Sequence, residues 1–175
     1  MIIIGMSLID ATSATPEFSL AGKTMDAKVV TCYDGDTFYS VIDLFGQLWK
    51  FNCRAAGYDC PEMKPPKNKV DRDIEKERAL RAKQAFISHL VSNIDMTSTY
   101  TNQELDRLVL SNKRLIRMTC KEFDKYGRLL VDIIPDEESR SNGVTQATIN
   151  DWMIDSGFGY RYDGGTKNTT FATKV

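Results

Sequence analysis

The stretch from Ala27 to Ala56 constrains the fold more than any other part of the chain, because it holds three β-forming runs with almost nothing between them. Ala27–Tyr33 is rich in residues that suit a pleated surface. Asp34-Gly35-Asp36 follows and predicts a tight turn, with the glycine supplying positive φ. Thr37–Leu44 alternates and places Phe38, Ile42 and Leu44 on one face. Gly46 turns the chain again. In Leu48–Ala56, Trp49, Phe51, Cys53 and Ala55 point one way, while Lys50, Asn52 and Arg54 point the other. Connections this short join antiparallel neighbours, so the strands are expected to form a meander. Arg54 falls on its polar face, where an arginine is ordinarily a solvated strand residue.

Arg54 also opens a second feature, Arg-Ala-Ala-Gly-Tyr-Asp-Cys-Pro-Glu, ending at Glu62. Asp59 and Glu62 flank Cys60-Pro61, whose proline forces an extended bend. A rigid turn therefore holds two carboxylates near a guanidinium, which suits a hard metal ion and a phosphate. Alone, such a turn is also an ordinary surface loop.

Lys64-Pro-Pro-Lys-Asn-Lys69 is basic and stiffened by proline, and on its own terms it is a solvated linker. A helix is expected from about Asp73 to Asn93, capped by Asp71 or Asp73, with Ala79, Ala82, Phe86 and Leu90 as its apolar stripe. His89, near its end, reads as a dipole partner or a packed side chain. Thr101-Asn-Gln-Glu104 fits a capping box and predicts a short helix within 95–113. Leu115–Cys120 is expected as a fourth strand, Asp124-Lys-Tyr-Gly127 as a tight connection, and Arg128–Ile134 as a fifth strand. A Ser/Asn/Gly-rich loop follows Pro135. A last helix runs from about Thr145 to Ser156, buries Ile149, Trp152 and Met153, and stops at Gly157.

A chain of 175 residues, 42% of them hydrophobic, can bury one sizeable core. The expected organisation is an arm over 1–24, one domain over 25–167 and a polar tail over 168–175. Part of Ile2–Ile9 is a candidate edge strand. The net charge of −1 gives no general attraction to nucleic acid but leaves room for a local basic patch. The four cysteines include no Cys-x-x-Cys pair and the chain has one histidine, which argues against zinc. Three of them sit in apolar runs, which favours reduced thiols and an intracellular setting. Secretion remains the alternative, because the apolar N-terminus is followed by Ala-Thr-Ser-Ala. No segment is long and apolar enough to cross a membrane. Strands and helices in this order give an α+β chain whose five strands, with a helix between the third and fourth, match an OB-fold barrel with two to three packed helices.

Polar clusters stand at the ends of the expected strands: Asp34-Gly-Asp36-Thr37, then Arg54 with Asp59, Pro61 and Glu62, then Asp124-Lys-Tyr-Gly-Arg128. In this order, and with the late 150–157 helix followed by Tyr160-x-Tyr162, the chain resembles the staphylococcal nuclease (thermonuclease) family over about Lys28 to Gly165. The resemblance implies calcium-dependent hydrolysis of DNA or RNA, breaking the 5′ P–O bond and leaving 3′-phosphate ends. It implies Asp36, Asp59 and the backbone carbonyl of Cys60 as calcium ligands. Asp34 would stand behind them, and Glu62 would act through water, as a base or by positioning it. Arg54 and Arg128 would grip the scissile phosphate. Lys125, Tyr126 and Tyr160 would hold a neighbouring phosphate or nucleotide, and Lys64 would belong to a basic flap over the substrate. Tyr160 and Tyr162 serve equally as core packing or as base-stacking rings.

The chain departs from that family at Cys60, where threonine is usual, and at Ala55-Ala56, where bulkier residues are common and local underpacking is expected. The stretch 97–112 reads as an insertion, and the family's terminal helix has no counterpart. The partner expected is a DNA or RNA substrate, bound by a monomer. A non-catalytic OB module that binds nucleic acid or protein is the alternative function. A phosphodiesterase for small nucleotides is a third.

Overall fold

A computed structural model describes residues 7–165 apart from 69 and 142. The expected meander is present: β1 (Thr24–Cys32) pairs antiparallel with β2 (Thr37–Leu44), and β2 with β3 (Gln47–Ala55). A two-residue strand, β4 (Tyr58–Asp59), follows. β5 (Ile116–Phe123) pairs with β6 (Leu129–Ile134) and returns to β1, while β3 runs parallel to β6. The result is a closed barrel in the order β1-β2-β3-β6-β5. With its helices this is an α+β fold built on an OB-fold-like barrel. The core is filled from alternating positions such as Val29, Phe38, Ile42, Met118, Leu129, Val131 and Ile133, all buried.

α1 (Arg72–Leu90) closes one side of the barrel through the expected stripe of Ala79, Ala82, Phe86 and Leu90, with Phe38 and Phe86 ring centroids 5.5 Å apart. Its N-terminus differs from expectation. Asp71 sits at the cap position without a side-chain cap bond, and the Asp73 side chain instead accepts from Lys76 at 2.9 Å. α2 (Asn102–Ser111) begins at the predicted capping box, with both Thr101 and Glu104 side chains engaged. It packs on β1 and α1. Lys83 of α1 is buried beneath it, its ammonium 2.6 Å from Asp106 and 2.8 Å from Asn102. The segment read as an insertion is thus an integral wall of the domain.

The loop expected after Pro135 contains a short helix, α3 (Glu137–Ser141), which Asp136 starts by accepting from the Ser139 amide at 2.9 Å. Five residues show no periodicity, so this helix carries no pattern in the sequence. α4 (Ile149–Asp155) is capped by Thr148, and Gly157 ends it with φ of 79°. β7 (Tyr160–Arg161) then pairs with β4. The folded body begins earlier than position 25: Leu20 is buried, and Gly22 and Lys23 hydrogen bond to Cys120. Most of the proposed Ile2–Ile9 strand lies outside the described residues, and Leu8–Asp10 is an exposed 3-10 turn. All four cysteines are free and buried. Among the described residues no helix is long and apolar enough to cross a membrane.

Two side chains fasten α4. Buried Asn150 donates to the carbonyls of Ala56 (3.0 Å) and Val131 (2.9 Å) and accepts from the Ile133 amide (3.1 Å). It therefore satisfies backbone groups on both parallel strands. Asn150→Ala should lower stability by about 2–4 kcal/mol in denaturant unfolding, since it strands several buried polar groups; a loss below about 0.5 kcal/mol would show that the strands hold α4 without it.

His89 is a packed side chain, 5% exposed. Its ring meets Trp152 edge-on at 4.2 Å, and among the described residues neither ring nitrogen has a hydrogen-bond partner. Burial, helped by Arg114 and opposed by Asp136, pushes its pKa down from 6.5 to about 4. Between those values the unfolded chain binds a proton that the folded one refuses, so stability falls as pH drops from 6.5 toward 4, by at most about 3 kcal/mol from this group. His89→Phe should flatten the stability–pH slope across that window. An unchanged slope would remove His89 as its source.

Candidate active site

The site is built where β2 begins and β3 ends. Thr37 and Arg54 lie opposite each other in register, and the Ala55 amide donates to the Asp36 carbonyl at 2.8 Å. Arg54 leaves the strand on its polar face, as expected, but it is not solvated: it is 9% exposed. Its Nη1 lies 2.6 Å from Asp36 Oδ1 and its Nη2 lies 2.6 Å from Asp59 Oδ1. Nη2 also donates to the Tyr58 carbonyl at 3.2 Å. Asp36 and Asp59 are each 2% exposed. Burial works against the charged guanidinium, yet Asp36 and Asp59 hold its pKa above the ordinary arginine value. Asp36 is pushed up by burial and by the Asp34 charge, against the pull of Arg54.

The turn before β2 is shaped by close approach. Asp34 Oδ1 accepts from the amides of Asp36 (3.1 Å) and Thr37 (2.8 Å), an Asx turn. Gly35 does not supply the positive φ that its sequence suggests. Space requires it instead, since a Cβ there would stand 2.6 Å from Cys60 Sγ and 3.1 Å from Ala82 Cβ on α1. Tyr58 donates its hydroxyl to the Gly35 carbonyl at 2.7 Å, and the Cys60 amide donates to Asp36 Oδ2 at 3.0 Å. The Cys60 thiol faces the Phe158 carbonyl at 3.5 Å, and burial raises its pKa well above the ordinary thiol value.

Arg128 begins the run into β6. Gly127, at φ of 76°, closes the turn, and Asp124 accepts from the Arg128 amide (2.9 Å), Nε (2.7 Å) and Nη2 (2.7 Å). Burial opposes the Asp124 charge, but these bonds hold its pKa below the usual carboxylate value. The Tyr126 ring, 72% exposed, lies under two cations: Lys125 Nζ at 5.1 Å and the Arg128 guanidinium at 5.4 Å.

Two cavities result. The smaller, about 190 Å³, gathers Asp34, Asp36, Asp59 and Glu62 with Arg54, Arg128 and Cys60. The larger, about 870 Å³, is lined by Lys121, Lys125, Tyr126 and Tyr162 over a floor that includes Asn52, Ala55 and Ala56. Arg54 and Arg128 border both. The alanine pair thus widens a surface cleft rather than leaving a void in the core.

Two predicted residues border neither cavity. Tyr160 donates its hydroxyl to Asp59 Oδ2 at 2.9 Å, and burial together with that carboxylate raises its pKa. Lys64 lies 5.9 Å over the ring of Tyr33, which edges the smaller cavity, while neighbouring Pro65 is buried. Sequence reasoning assigned no role to Asp124, to Asn52, or to Glu75, whose carboxylate accepts from the Glu62 amide at 3.1 Å. Asp124 was signalled by its place four residues before Arg128. Glu75 and Asn52 carried no local signal.

The donor set fits a hard divalent cation. Four carboxylates face two guanidiniums in the smaller cavity, and one of those guanidiniums is taken by Asp124. Asp36 and Asp59 are oxygen donors of the kind calcium selects. Among the described residues, no three side chains of metal-binding type converge as a ready cage; Arg54 stands between the two aspartates. No protein-family model matches the chain, and no curated protein aligns with it.

Gly35→Ala should cost about 1–3 kcal/mol through overpacking against Cys60 and α1. The Gly35→Ala/Cys60→Ala pair should lose at least about 0.5 kcal/mol less than the two single losses summed. Strict additivity in denaturant unfolding would show that Gly35 and Cys60 do not compete for the same space.

Proposed function

We propose that this protein is a calcium-dependent nuclease of the staphylococcal nuclease type, hydrolysing phosphodiester bonds of DNA or RNA to leave 3′-phosphate ends. One observation carries it. Arg54 and Arg128 stand at the junction of an acid-lined cavity and a cleft of cations and tyrosine rings. A phosphodiester laid across that junction meets guanidiniums at its reacting phosphate, acids on one side, and a nucleotide-sized cleft on the other.

Each residue then has a task. Arg54 and Arg128 donate to the equatorial phosphate oxygens, where negative charge grows as water attacks. Arg54 is pre-aimed by Asp36 and Asp59 and keeps donors in reserve, because a guanidinium carries five N–H groups. Arg128 is aimed in the same way by Asp124. Glu62 receives the proton of the attacking water or positions that water, its own backbone fixed by Glu75. The 5′ oxygen leaves with its electron pair. Lys125 and Tyr126 hold the adjoining phosphate or nucleotide. Asp36, Asp59 and the Cys60 carbonyl would hold calcium, whose charge when bound would polarise the phosphoryl oxygens and offset the surplus of carboxylates. Tyr160 acts at one remove, by fixing Asp59.

The test is incubation with single-stranded DNA and RNA, in calcium or in chelator. Cleavage should require calcium and leave 3′-phosphate ends. Arg128→Lys, at a partly exposed position, keeps the charge but loses the fork and should lower kcat by a factor of about 10². Arg54→Lys should do at least as much, with folding checked by circular dichroism because the aspartates it pairs with are buried. Equal cleavage in chelator, or full activity in the Arg128 variant, would defeat the proposal. Tight binding of either nucleic acid without cleavage would instead leave a binding module.

A further inference from the structure

The floor of the larger cavity holds a polar group that the chemistry above does not use. Asn52 lies on the outer face of β3, two residues before Arg54 and opposite Tyr39. Its Oδ1 is buried, and among the described residues no donor reaches it. A carbonyl oxygen shut off without a partner is costly, so its persistence in a cavity points to a donor brought by a ligand. Arg54, at the same cavity, lies about 7 Å along the strand from Asn52, a span within one nucleotide.

The surroundings describe a base. Ala55 and Ala56 leave the floor low, and Tyr126 and Tyr162 offer ring faces at the same cavity. An asparagine amide presents one acceptor and two donors in a plane. Adenine is the base that answers both on one edge: its N6 amine gives a hydrogen bond and its N7 accepts one. Guanine shows two acceptors on that edge, thymine an acceptor and a methyl group, and cytosine a donor without N7.

We propose that Asn52 is a specificity-determining residue that reads an adenine base in this cleft, Oδ1 accepting from N6–H and Nδ2 donating to N7. Placing the neighbouring phosphate at Arg54 and Arg128 rests on the nuclease reading; the base contact itself does not require cleavage.

The experiment uses the full chain and titrates the 3′,5′-bisphosphates of adenosine, guanosine, cytidine and thymidine by calorimetry. The adenosine form should bind about tenfold more tightly than the thymidine form. The 7-deaza-adenosine form, which lacks the N7 acceptor, should lose most of that advantage on the unaltered protein. Asn52→Ala should level the four affinities. Equal affinities in the unaltered protein, or an adenosine preference that survives Asn52→Ala, would overturn the proposal. Mapped cut sites on a mixed-sequence single strand separate the two ideas. Cleavage without bias toward adenine defeats the role of Asn52 and leaves the nuclease standing. Selective adenosine binding without cleavage does the reverse. No binding of any bisphosphate defeats the role of Asn52.

Discussion

The ion triad Asp36–Arg54–Asp59 is the interaction on which the site depends. It joins the first turn of β2, the last residues of β3 and the short strand β4, so three separate backbone segments converge on one guanidinium. Burying three charges is expensive, and the cost is offset only when every partner is present and well aligned. Both contacts at 2.6 Å, the Tyr58 carbonyl and the Cys60 amide meet that condition. Loss of one member would leave an uncompensated buried charge, at about 3–5 kcal/mol. The barrel therefore fixes the site, and the site in turn sets the angle at which β3 passes into β4.

The same triad sets the electrostatics. The smaller cavity holds more acid than base, and the charge is distributed unevenly: Arg54 is shared by Asp36 and Asp59, whereas Arg128 is held by Asp124 from a different turn. Asp34 adds a further negative charge beside Asp36. This imbalance favours uptake of a cation on the acid side. The larger cavity, with Lys121, Lys125 and Arg128, favours an anion on the other. The two arginines mark the boundary between them.

Much of this was legible where the signal was local. Alternation across 27–56 disclosed the meander, and Thr101 with Glu104 disclosed the start of α2. Residues at strand ends disclosed the acids and both arginines. What stayed hidden was set by distant contacts. β4 and β7 are two residues each and pair across a hundred positions of chain, so neither has a pattern of its own. The burial of Arg54 depends on Asp59 folding back over it. Gly35 looks like a positive-φ glycine, but its constraint comes from Cys60 and Ala82, which no window around position 35 contains. The hold of Glu75 on Glu62 is a helix touching a loop thirteen residues earlier.

The structure also moves the weak point for metal binding. From the sequence, Cys60 in place of threonine is the natural suspect, because a hydroxyl contact is lost. Yet the Cys60 amide still donates to Asp36, and its thiol fills the space beside Gly35, turned away from the acids toward the Phe158 carbonyl. The competitor is Arg54. Each of its terminal nitrogens occupies an oxygen of Asp36 or Asp59, the same carboxylates an ion would need. Metal and guanidinium are therefore coupled: an ion that takes aspartate oxygens releases arginine donors, and a phosphate that receives those donors frees the aspartates. Metal and substrate should then bind cooperatively, since each removes what the other must displace.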